Sequence, residues 1–137
     1  MAKSKINKVE WIAAPDIKKR TLQLIESLNM DWINIKNIHF IRSNNSKSRA
    51  YARIWGLSRV WQMTLNLKPS YIIEVLNEKF DKLSEKEKDR VLIHELTHIP
   101  QNFSGSLLPH IRKRGKRNFN KKVKDYFDKY LKNKTND

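Results

Sequence analysis

Cysteine is absent from the 137 residues, which excludes a disulfide framework and every thiolate metal site. Glycine and proline are scarce, at 3 and 4, against 39% hydrophobic residues. A chain so poor in breakers and so apolar is neither a linker nor a disordered tail. No run approaches the ~20 apolar residues of a transmembrane helix. Lys3, Lys5 and Lys8 precede no apolar stretch, so no secretory signal is expected. The expectation is one soluble domain over residues 1–137, kept in the cytoplasm.

Acidic residues are the other shortage. Fourteen Asp and Glu face 29 Lys and Arg, for a net charge of +15. A field of that sign favours polyanions, either nucleic acid or an anionic membrane surface. The charge is concentrated in the basic C-terminal segment, residues 112–137. From Arg112 to Lys124 the basic residues are Arg112, Lys113, Arg114, Lys116, Arg117, Lys121, Lys122 and Lys124, with no acid among them. Such a run, with Phe119 inside it, fits non-specific contacts to a DNA backbone, which need charge and tolerate any sequence. Trp11, Trp32, Trp55 and Trp61 lie outside it and read as core or site walls.

Periodicity predicts an α+β layout. Pro15 and Asp16 open a helical pattern carrying Leu22, Ile25, Leu28 and Trp32. Three strands are expected, at 35–41, 60–67 and 71–76, and the polar run 42–49 reads as a loop. Ser84 and Glu87 form a capping box for a helix that Pro100 must end. An amphipathic basic helix is expected from about 118 to 132.

The chemistry sits in the Ser84 helix, in the run His94-Glu95-Leu96-Thr97-His98. Two histidines four apart share a helix face and can grip one Zn²⁺ per chain. Glu95 is placed to act as general base, taking a proton from a metal-activated water. Leu92, Ile93, Leu96 and Ile99 form a separate apolar stripe, at ~100° per residue, so the helix has one face for a core and another for polar work. A catalytic zinc wants a third protein ligand and an open position. After Glu95 the next acid is Asp125. His110, across a loop containing Gly105, and His39, on its strand, are the candidates.

The run Ala52-Arg-Ile-Trp-Gly-Leu57, with Trp61-Gln62, Tyr71-Ile-Ile-Glu-Val-Leu76, Phe80-Asp81 and His94 to Pro100, resembles a metallopeptidase family of archaea, archaeal viruses and phages. Phe103-Ser-Gly105 and Pro109-His110 continue the resemblance, which spans roughly residues 35 to 112. It implies a small zincin-like domain with His94, His98 and His110 as zinc ligands and Glu95 as base, acting on a protein or peptide substrate. For a viral member the compartment would be the host cytoplasm. In zincin-like folds an edge strand ahead of the metal helix aligns the peptide, and Val60–Leu67 is the candidate here. Tyr51, Tyr71 and Arg112 are candidate donors to the transition state. The chain is also similar, over the motif and the basic charge, to SprT-like proteases, which cut proteins crosslinked to DNA. The competing reading is a non-catalytic nucleic-acid-binding protein with a structural zinc. The two differ in whether a metal position stays open beside Glu95.

Overall fold

The computed structural model describes residues 8–110 and 119–135. Among these residues, four strands form one sheet: β1 (Glu10–Ala13), β2 (Ile38–Asn44), β3 (Ala52–Gly56) and β4 (Tyr71–Leu76). Their spatial order is β1-β2-β4-β3, with β2 and β4 parallel and both outer pairs antiparallel. Strand β4 is flanked on both sides, and its Tyr71, Ile73 and Val75 are wholly buried. Helices α1 (Pro15–Ser27) and α4 (Glu85–Thr97) pack on the sheet, and α5 (Phe119–Thr135) packs against both of them. Two short helices complete the α+β domain, α2 (Arg59–Leu65) and α3 (Asn77–Phe80).

Local chemistry explains the boundaries. Pro15 at the first position and Asp16 in the first turn open α1, and Asn29, at φ 52°, lies just beyond its end. Its buried Ile17, Thr21, Leu24 and Ile25 recur at helical spacing. Ser84 Oγ accepts the amide of Glu87 at 3.2 Å and donates to that residue's carboxylate at 3.1 Å, so the cap of α4 is real. Leu92, Ile93 and Leu96 of α4 then pack on Phe40, Ile73, Val75 and Phe80 in a core completed by Phe119, Val123 and Phe127 of α5. Asp89, nearly buried, ties the three helices together: Arg20 Nη1 donates to it at 2.7 Å and the Tyr130 hydroxyl at 3.0 Å.

Three expectations need correction. Residues 60–67 are not a strand but helix α2 and its exit, closed by Asn66 at φ 52°. Their apolar alternation reports no buried sheet face, because none of the residues in α2 is buried. Both sides of β4 are already taken, by β2 and β3. The strand expected at 35–41 begins three residues later, after a 3-10 turn over 35–37, and absorbs the first polar residues of the expected loop. Strands β1 and β3 were not expected at all, and with residues 60–67 removed from the sheet they bring it to four strands.

Candidate metal centre

Helix α4 buries its apolar stripe and turns His94 and His98 toward a groove along β3. Beyond Thr97 the chain reverses through Phe103, at φ 46°, and Gly105, at φ 96°. The amide of Leu108 then donates to the carbonyl of His98 at 2.7 Å, and His98 Nδ1 meets the carbonyl of Leu108 at 2.5 Å. A carbonyl only accepts, so Nδ1 carries the proton and Nε2 of His98 keeps its lone pair. This two-point clasp brings His110 back to the helix. His94 Nε2 and His110 Nε2 lie 3.0 Å apart. One ligand nitrogen from each of the three histidines lies within 4.8 Å of the others.

The donor set fits a divalent metal. Bonds of ~2.0–2.1 Å place tetrahedral nitrogen ligands about 3.3 Å apart, close to the His94–His110 separation of 3.0 Å and inside the 4.8 Å that bounds the whole set. Burial, with the neighbouring His98, His110 and Arg90, drives His94 down to about 4, and burial also lowers His98. Both rings are therefore neutral at pH 7, the form that binds metal. Glu95 is buried, which pushes its carboxyl up to about 8, and Oε2 stands 4.0 Å from His94 Nε2. Among the described residues its carboxylate has no hydrogen-bond partner, so it is free to handle a proton.

Phe119, which the sequence placed within a DNA-contacting run, instead packs on the histidines. Its ring stacks on His98 at 4.2 Å and meets His94 and His110 edgewise at 4.9 and 4.7 Å. Only its position in an apolar helical pattern hinted at burial, and nothing local pointed to the histidines.

Two cavities flank this cluster and share Ala50, Ala52, His94 and Glu95. One, of about 620 Å³, extends toward Leu83, Arg90, Val91 and Val123; the other, of about 440 Å³, extends toward Ile54, Leu107 and His110. Edge strand β3 runs along both. The carbonyl of Tyr51 accepts from Leu76 at 3.0 Å, and the amide of Leu57 donates to Ser70 at 3.0 Å. Antiparallel groups alternate in direction, so Ala52 and Ile54 turn their N–H and C=O outward to the groove. At its far end β3 passes close to the loop after α4, since a Cβ on Gly56 would stand 2.1 Å from the carbonyl oxygen of Gly105.

The other candidates fall as follows. His39 is exposed on β2 and lies outside the histidine cluster. The Tyr71 hydroxyl donates to Ser106 at 2.8 Å and accepts from the Gly105 amide at 2.8 Å, so it holds the loop rather than a substrate. Tyr51 is half exposed and lines the larger cavity. Trp11, Trp55 and Trp61 are exposed rather than core, while Trp32 is partly buried and donates to the Ile99 carbonyl at 3.2 Å. Lys121, Lys122 and Lys124 stand on the first turns of α5. Arg112, Lys113, Arg114, Lys116 and Arg117 lie outside the described residues. Sequence reasoning missed Glu74, which is fully buried on β4 and binds Arg53 at 2.9 and 3.2 Å and Trp55 Nε1 at 2.8 Å. Burial alone would raise its pKa, but these donors hold it below the ordinary carboxylate value.

A family model described as "Putative phage metallopeptidase" matches residues 9–133. No curated protein and no solved structure matches the chain.

Proposed function

The chain belongs to the phage metallopeptidase family, and on that premise we propose that it is a zinc-dependent peptidase binding one Zn²⁺ per chain through His94, His98 and His110. The observation that carries this reading is the convergence of three imidazoles with a buried carboxylate, in a groove walled by an open strand edge. A zinc ion bound there supplies Lewis acidity, polarising a peptide carbonyl and making water acidic enough to attack.

This chain's own residues do the rest. Outward N–H and C=O groups of Ala52 and Ile54 pair with an extended peptide and lay it across the groove. Strand β3 thus takes the aligning role expected of residues 60–67. Glu95 accepts a proton from the attacking water and returns it to the leaving amine. Its burial suits that return, because a carboxyl held near neutrality gives up a proton as readily as it takes one. Tyr51, half exposed on the wall of the larger cavity, is the side chain we assign as donor to the developing oxyanion.

DNA-associated proteins are the substrates the charge favours. Phe119 fastens the start of α5 to the three rings, so Lys121, Lys122 and Lys124 stand within about two turns of the site. A polyanion on those lysines would hold its bound proteins beside the groove.

The test is digestion of a peptide library and of a DNA-binding protein, with and without duplex DNA, alongside metal analysis. Glu95→Gln should retain zinc and lose about 10²–10⁴-fold in rate. Equal cleavage by the variant and the wild type would refute the assignment of Glu95. Cleavage of the DNA-binding protein that is indifferent to DNA would refute recruitment alone.

A further inference from the structure

Helix α2 is built inside out. Its polar Gln62 points inward, where Nε2 donates to the carbonyls of Leu57 at 2.8 Å and Ser104 at 2.9 Å. Its apolar residues point outward: Val60 is 68% exposed, Trp61 58%, Met63 70% and Leu65 53%. Leu67, just beyond the helix, is also about half exposed. At ~100° per residue, the four apolar positions of α2 sweep an arc of roughly 200°. An arc so wide makes a convex knob. A flat protein partner would cover one side of such a knob and leave the rest in water, whereas a fluid phase would enclose all of it.

Charge identifies that phase. From Trp32 to Ile73 the chain has no Asp or Glu but seven Lys and Arg, of which Arg42 is engaged by Asp16 and Asp81 and Arg53 by Glu74. Arg59 and Lys68, both exposed, bracket the apolar residues directly. Lys36 joins them, because its neighbour Asn37 donates to Ser70 Oγ at 3.3 Å. Exposed Trp, Met and Leu on a knob ringed by cations are complementary to an anionic bilayer. The rings and chains enter the acyl boundary while the cations meet headgroups.

We propose that α2 docks the protein on anionic membrane surfaces, inserting Trp61, Met63 and Leu65 with Arg59 and Lys68 on the headgroups. The clasp of Gln62 on Ser104 ties this knob to the loop that carries His110, and Leu107 of that loop lines the groove. Docking through α2 therefore sets the groove beside the bilayer. The inference stands apart from the peptidase reading, because binding is measured without turnover.

The experiment is co-sedimentation of the full chain with phosphatidylcholine vesicles and with vesicles that also contain phosphatidylserine. Binding should require phosphatidylserine and weaken with added salt. Trp61→Ser with Met63→Ser should reduce it at least about tenfold, with the melting temperature unchanged because both side chains are exposed. Arg59→Glu with Lys68→Glu should reduce it by a similar factor. Absence of binding, or binding that survives both pairs of substitutions, as it would if the C-terminal lysines alone were responsible, overturns the proposal. So does self-association in solution that Trp61→Ser abolishes, which would make the knob an interface between copies of this chain.

Discussion

Helices α4 and α2 arrange their side chains in opposite ways. Helix α4 buries Leu92, Ile93 and Leu96 and turns His94 toward a groove. Helix α2 buries no residue, anchors itself through Gln62 and turns Val60, Trp61, Met63 and Leu65 to solvent. The difference teaches where stability and function separate. In α4 the apolar stripe holds the fold and the polar face is free for chemistry. In α2 a pair of hydrogen bonds does the holding, so the apolar face is free for an encounter.

The largest expected effect removes the loop histidine that meets the working face of α4. His110→Ala should weaken zinc binding by at least about 100-fold, since losing even a residue that orients a ligand costs 10–100-fold. His39→Ala should leave zinc affinity unchanged. Competition with a fluorescent chelator measures both, and the reverse ranking would displace His110 from the ligand set.

Next in size is a direct contrast of the two apolar faces. Leu96, fully buried, should cost about 2–5 kcal/mol on replacement by alanine. Leu65→Ala should change stability by no more than about 0.5 kcal/mol, because the side chain is already in water. Urea denaturation of both variants would erase the distinction between the helices if the two losses were alike.

A third effect concerns pH in metal-free protein. Glu95 has its carboxyl raised from 4.5 to about 8 by burial, so the folded state holds a proton that the unfolded state releases. Stability from this residue is therefore present below about pH 4.5 and is lost as pH rises through about 8. Glu95→Gln cannot ionise, so its stability relative to wild type should rise between those limits. His94, lowered from 6.5 to about 4, contributes the opposite slope in the acid range, but it does so in both proteins. Thermal melts after chelation, at about pH 5 and about pH 9, would contradict the burial of Glu95 if the difference between variant and wild type were constant.

Much of α4 was legible because its determinants are local. The Ser84–Glu87 cap, the i, i+4 histidines and the apolar stripe all act within one or two turns, and each is where the pattern put it. Residues 60–67 misled for a related reason. Alternating apolar residues imply a strand only when a sheet face exists to bury them, and here β4 was already flanked on both sides. Strand β3 carries Arg53 and Trp55 on one face, serving a Glu74 that is 21 and 19 residues away, so its pattern did not read as half-buried.

The sequence by itself determined the pair of histidines and the glutamate on one helix, the α+β class and the excess of positive charge. Those follow from helical periodicity, capping chemistry and composition, which need no knowledge of distant contacts. Only the tertiary structure decided that His110 joins the pair, through the clasp between His98 and Leu108, and that Phe119 covers the cluster. It also decided which strand lies open along the groove and which way α2 faces. Each of those depends on contacts between residues far apart in the chain, and such contacts form only once the sheet and the core have fixed where every segment stands.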